Sequence, residues 1–231
     1  MTETQTTSEK GKHTTQDVVV VRNEVDSEHQ YHCDALSSLF PGARQIDFPA
    51  GERFDPTTVD GVVLTGSTVG VYERDTHAWI PQQEQLVRDL VAESVPTLGV
   101  CFGHQLVNSA LGGSVEHRGT TAGLVEADLA EHPLFEDVSP VVPALHGDVV
   151  TQHGEDLDVI ATAPHAAIFG TSHSEAPLWT VQFHPELSAS LRETLTKKHE
   201  WREQPHSFGD VTAENVCRNF LALVREQQRV D

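Results

Sequence analysis

Thr97-Leu98-Gly99-Val100-Cys101-Phe102-Gly103-His104-Gln105-Leu106-Val107-Asn108-Ser109-Ala110-Leu111-Gly112-Gly113 is the stretch whose reading decides the fold. Its first residues close an apolar run that starts at Val95 and predicts a short buried strand. His104 to Leu111 predicts a helix, stopped by Gly112-Gly113. Between them lies a sharp G-x-C-x-G turn. Strand, glycine-flanked turn and helix make a nucleophile elbow, the cysteine counterpart of G-x-S-x-G. The glycines suit a nucleophile whose backbone is strained and whose neighbours leave room for a substrate. A helix N-terminus behind Cys101 favours thiolate over thiol. A lone cysteine in such a turn also reads as an ordinary core residue, so the turn by itself leaves both open.

A second stretch, Trp179-Thr180-Val181-Gln182-Phe183-His184-Pro185-Glu186, decides between them. Alternating Trp179, Val181 and Phe183 predict a strand that Pro185 ends, with His184 at its end. Glu186 lies two residues on, and in extended backbone such residues project to the same side. A carboxylate there fixes the imidazole tautomer and leaves the other ring nitrogen free to take the cysteine's proton. Nucleophile, base and orienter are then Cys101, His184 and Glu186. A third stretch, Asp60 to Tyr72, runs from an apolar strand into the small-residue loop Thr65-Gly66-Ser67-Thr68. Backbone N–H groups of that loop, with that of Phe102, suit an oxyanion hole; alone, the loop reads more readily as an ordinary strand-to-helix connection.

These motifs resemble the class I, triad-type glutamine amidotransferase domain from about Asp17 to Val224. The resemblance is carried by Leu64-Thr65-Gly66-Ser67, Gly99 to Gln105, Leu145-His146-Gly147-Asp148 and Val181 to Glu186. It is nearest to the single-domain proteins similar to the amidotransferase part of GMP synthetase. It implies an α/β, flavodoxin-like fold and a reaction in which Cys101 attacks the glutamine side-chain amide, ammonia leaves and water hydrolyses a thioester. By the same resemblance His184 is the base, Glu186 its orienter, and Gly66, Ser67 and Phe102 form the oxyanion hole. Gln105 and His146-Gly147 hold the α-amino and α-carboxylate ends of glutamine. The family's usual Gly-Gly-Pro is here Gly66-Ser67-Thr68, and Leu145 stands where a small polar residue is common. A related branch cleaves γ-glutamyl peptides with the same triad, which is the second reading; a non-catalytic regulatory protein is the third. The implied partners are glutamine or a γ-glutamyl compound and a separate ammonia-accepting synthase subunit.

Outward from the motifs, Asp17 to Val21, Arg44 to Phe48 and Gly61 to Thr65 predict strands, and Ser27 to Phe40 and His77 to Glu93 predict helices. In Ser27 to Phe40 the helical spacing falls on Tyr31, Ala35, Leu36 and Leu39. Alternating strands and helices predict a mostly parallel central sheet with helices on both faces, with catalytic groups at the carboxyl ends of its strands. Ser114 to Phe183 predicts an antiparallel extension. Leu191 to Asp210 reads as helix then loop, and a final amphipathic helix buries Val216, Phe220, Leu223 and Val224. Cys33 and Cys217 read as packing residues.

The 231 residues predict one domain over residues 17–231, preceded by a polar leader over 1–16 that is expected to be disordered. The leader lacks the apolar centre of a signal peptide, and no apolar run approaches membrane-spanning length. Three cysteines without a C-x-x-C pair fit a reducing cytoplasm. With 35 Asp and Glu against 15 Lys and Arg, the formal charge is −20, which disfavours nucleic acid and anionic lipid as partners. The acids are spread along the chain and not blocked into a tail, a pattern expected of adaptation to high salt more than of an acidic docking face for a basic partner. The 14 histidines form no supported metal motif, and no phosphate-binding or dinucleotide fingerprint occurs, so no metal or other cofactor is expected.

Overall fold

Four consecutive valines open the sheet, in β1 (Val18–Arg22). The structure, a computed structural model, describes residues 16–230; the expected leader, Gln16 apart, lies outside them. Val18 and Val20 pack with Leu36, Phe40, Phe220 and Val224, whereas Val19 and Val21 pack with Ile80, Val87, Leu90 and Leu106. Successive strand residues point to opposite faces, so an unbroken apolar run requires a cover on each. Helices α1 (Gln30–Ser38) and α5 (Asn215–Val230) cover one face; α2 (Trp79–Ala92) and α3 (Phe102–Ala110) cover the other.

The remaining strands are β2 (Arg44–Asp47), β3 (Gly61–Leu64), β4 (Thr97–Val100), β5 (Ser114–Glu126), β6 (Asp128–Leu129), β7 (Val141–Gln152), β8 (Leu157–Ala163), β9 (Ala166–His173) and β10 (Leu178–Val181). Eight of them form the main sheet, in the order β2-β1-β3-β4-β10-β9-β8-β6. From β2 through β10 the pairing is parallel; β9, β8 and β6 continue it antiparallel.

The second half departs from a simple antiparallel extension in two ways. β5 and β7 leave the main sheet and pair with each other in a separate two-stranded sheet. Val142, Ala144 and Val149 of β7 pack there against Phe169 and Phe183 in one of the two large apolar clusters. And β10 runs parallel to β4, with Val181 opposite Val100, so the histidine segment lies beside the cysteine segment.

Candidate active site

Cys101 sits at φ 53°, ψ −102°, between β4 and the first residue of α3. For a residue with a Cβ this is a costly conformation, of the kind found where a side chain must be presented at a fixed angle. The flanking glycines have a different cause from the one expected. A Cβ on Gly99 would lie 2.7 Å from the Gly103 carbonyl oxygen, and one on Gly103 would lie 2.5 Å from the Leu64 carbonyl oxygen. They are glycines because α3 is pressed onto β3 and β4, and neither needs a positive φ. The Cys101 N–H donates to the Val181 carbonyl at 2.9 Å, pinning the elbow to β10.

His184 lies beyond the end of β10, not on a strand, and its N–H donates to the Pro143 carbonyl at 2.8 Å. The chain then turns: the Leu187 N–H donates back to the His184 carbonyl at 3.3 Å. That turn, and not extended backbone, brings Glu186 round so that its Oε1 is 2.6 Å from His184 Nδ1. Both side chains are almost wholly buried. His184 Nε2 is 3.1 Å from the Leu145 carbonyl, and Cys101 Sγ lies 3.8 Å from the same carbonyl. With an acceptor on each ring nitrogen, the imidazolium is the form that satisfies both. Burial disfavours that charge, but the Glu186 carboxylate and the Cys101 sulfur outweigh it and hold the His184 pKa well above the usual value. Leu145, unusual by its side chain, serves through its backbone oxygen.

A cavity of about 280 Å³ opens over Cys101, lined by Ser67, Gln105, His146, Gly147, Asp148 and His184 among others. The Ser67 hydroxyl accepts the Val69 N–H at 3.2 Å, tucking the side chain into its own loop. The Phe102 N–H opens α3, in the first turn whose donors find no partner within the helix. Gln105 Nε2 donates to the Asp148 carbonyl and to Gln182 Oε1, each at 3.2 Å. His146 Nδ1 is 3.0 Å from the Asp148 carbonyl, and its Nε2 is 3.1 Å from His165 Nε2. Since the carbonyl needs Nδ1–H, His146 accepts from His165 and is neutral; burial and the neighbouring His165 put its pKa at about 3. The wall above Gly147 comes from a bulge in β5, where the register jumps from His117 opposite Asp148 to Thr121 opposite His146.

Several residues of the cavity wall escaped the sequence reading, Glu24 and His32 among them. The expected apolar face of α1 was Tyr31, Ala35, Leu36 and Leu39. The helix instead buries His32, Cys33, Leu36 and Ser37, leaving Tyr31 on the cavity wall. Spacing among Cys33, Leu36 and Phe40 carried that signal. Glu24 follows the carboxyl end of β1, the edge where ligand sites of such sheets lie. Cys33 is buried as expected, yet it packs in a polar setting, 3.7 Å from His32 Nδ1 and 3.3 Å from Thr65 Oγ1. Cys217 is an apolar packing residue, and burial raises its thiol pKa well above normal. Among the described residues no group of three or more His, Cys, Asp or Glu is placed to hold a metal ion.

The chain is 31% identical over 171 residues to a GMP synthase (glutamine-hydrolyzing) from Mycolicibacterium paratuberculosis, covering 73% of this chain and 30% of that protein. It is 33% identical to the protein of the same name from Lactococcus lactis subsp. cremoris, covering 72% and 32% respectively. The chain thus matches about a third of the length of these relatives. In fold it is similar to a glutamine amidotransferase from Thermotoga maritima, with TM-score 0.68 and 20% identity over 92% of this chain and 97% of that one. A glutamine amidotransferase from Methylobacillus flagellatus gives TM-score 0.68 at 18% identity over 90% and 95%. The family model for class-I glutamine amidotransferases matches residues 4–200. The chain belongs to the class-I glutamine amidotransferases.

Proposed function

We propose that this chain hydrolyses the side-chain amide of glutamine through a thioester on Cys101 and releases ammonia to an acceptor outside these 231 residues. One observation carries the reading: a strained elbow cysteine beside a buried histidine that its own carboxylate holds at 2.6 Å. Cys101 Sγ, as thiolate, attacks the amide carbon, and the carbonyl oxygen becomes an oxyanion facing the N–H groups of Phe102 and the Gly66-Ser67 loop. His184 gives its Nε2 proton to the departing nitrogen, so ammonia leaves and a γ-glutamyl thioester remains. Neutral His184 then takes a proton from water, whose oxygen attacks the thioester; glutamate leaves and the thiolate–imidazolium pair returns.

A cavity of about 280 Å³ suits an amino-acid-sized ligand. Gln105 and the His146-Gly147 backbone hold the α-amino and α-carboxylate ends, with Glu73 and Asp148 on the same wall to receive an ammonium group. The acceptor is a separate synthase subunit, and the setting is the cytoplasm; no helix among the described residues is long and apolar enough to cross a membrane. We read the acidic surface as an adaptation to high salt. To test the reaction, purified protein is incubated with glutamine in molar potassium chloride, ammonia is measured, and the protein mass is followed for an acyl adduct on Cys101. Release that disappears in Cys101→Ala is expected. Ammonia at the same rate from Cys101→Ala, or none from the folded parent chain, defeats the reading; turnover of a γ-glutamyl dipeptide alone would make it a peptidase.

A further inference from the structure

A carboxylate has about four lone-pair sites, and the Glu24 carboxylate fills all four within the protein. Its Oε1 accepts the Asp26 N–H at 2.8 Å and the Thr68 hydroxyl at 2.7 Å. Its Oε2 accepts the Thr68 N–H at 3.0 Å and His32 Nε2–H at 2.9 Å. The Glu24 side chain is wholly buried and that of His32 nearly so. Thr68 ends the loop that carries Gly66 and Ser67. The other end of that loop is also tied down: Asn23 donates from its N–H to Thr65 Oγ1 and from its Nδ2 to the Thr65 carbonyl, each at 3.0 Å. Gln83 Nε2 in turn donates to Asn23 Oδ1 at 2.6 Å.

Gly66 sits between two imidazoles. A Cβ there would meet His184 Cε1 at 3.2 Å and His32 Cε1 at 3.3 Å. The loop therefore has one packed position, with the catalytic histidine on one side and the Glu24–His32 pair on the other. We infer that Glu24, held by His32, is the positioning residue that fixes the Gly66–Thr68 loop for oxyanion binding, so that the hole is assembled by this chain's own β1 end. The inference rests on the thioester reading. A second protein is then not needed to build the hole, and neither Glu24 nor His32 takes part in proton transfer with the substrate.

Glu24→Gln tests this, because the amide presents a donor where two acceptor sites were and leaves Thr68 or His32 without a partner. Since loss of one oxyanion donor typically costs about 10²–10³ in rate, kcat for glutamine should fall about 10²-fold, with KM within about twofold. Amide exchange of residues 66–69 should become faster while exchange in β1 and β4 stays unchanged. Thr68→Val supplies the milder variant, because it is exposed at the loop end and loses only the hydroxyl bond. It should lower kcat less, and in the double variant the two losses should not multiply. Equal kcat in folded Glu24→Gln, a change confined to KM, or fully multiplying losses overturns the inference. A parent chain inert to glutamine defeats the thioester reading instead, and loop exchange then decides the clamp: unchanged exchange in Glu24→Gln overturns it.

Discussion

His32 and His146 stand on the walls of one cavity and are driven in opposite directions. Burial opposes charge on His32, but hydrogen bonds to Cys33 and Glu24 overcome it and raise its pKa to about 10. For a group raised in the folded state, the stabilising contribution is whole below the unfolded pKa, 6.5, and is lost as pH rises through about 10. The groups facing His32 are Glu24, Cys33, Tyr31 and His184, so the loss on this flank belongs to that cluster. Urea unfolding of the parent should show stability falling between about pH 6.5 and 10, and His32→Gln should have a flatter curve over that range. Parallel curves for the two proteins would show that the pair carries no charge in the folded state. His146 has no carboxylate partner; burial and His165 lower its pKa, and it is a neutral hydrogen-bond relay.

Helix α4 (Arg192–His199) and the turn after it form a strap over β5, fastened away from the main core. Trp201 stacks on Phe208 with ring centroids 5.9 Å apart and 5° between planes, over a small cluster of Leu124, Val141, Leu187 and Leu195. The strap carries His199 to the cavity, where its Nε2 is hydrogen-bonded to the Tyr31 hydroxyl at 2.6 Å. Removing a buried tryptophan costs about 3 kcal/mol, and here the loss falls on the strap and not on the sheet. Trp201→Ala should therefore speed tryptic cleavage after exposed Arg202 at least about tenfold while the main unfolding transition stays in place; unchanged cleavage would show the strap is held elsewhere. Elements of this kind mark where the sequence was legible. The elbow and the two-sided burial of β1 could be read because residue types and local spacing define them; the His184–Glu186 pair could be read from residue type and order, although a turn and not the extended spacing joins it. The face of α1 was misjudged although Cys33, Leu36 and Phe40 mark it by their spacing; only the pairing of His32 with Glu24 leaves no periodic trace. The place of β10 beside β4 was missed for a related reason: pairing between strands distant in sequence leaves no mark in either strand alone.

Across the whole molecule, a formal charge of −20 on 231 residues favours expansion wherever it is unscreened. The screening length falls from about 30 Å at 0.01 M salt to about 3 Å at 1 M, so the repulsion should fade over that range. Melting temperature should climb from dilute to molar potassium chloride, most steeply at the low end; a flat profile would mean that acid–acid repulsion does not limit stability. The position of β10 has a further consequence, for the newly made chain. β1 to β4 and the cysteine elbow are complete by residue 103, but the strand that covers the outer edge of β4 begins at Leu178. At a synthesis rate of about 5–20 residues per second, β4 emerges seconds before its partner. For that interval Thr97 to Val100 presents an open row of backbone donors and acceptors to any other strand nearby. Cys101, meanwhile, lacks His184, the base proposed for it. The meeting of Cys101 with His184 and the closing of this edge of β4 are thus one event, and a nascent chain stalled before Leu178 is sticky and lacks half of the proposed site.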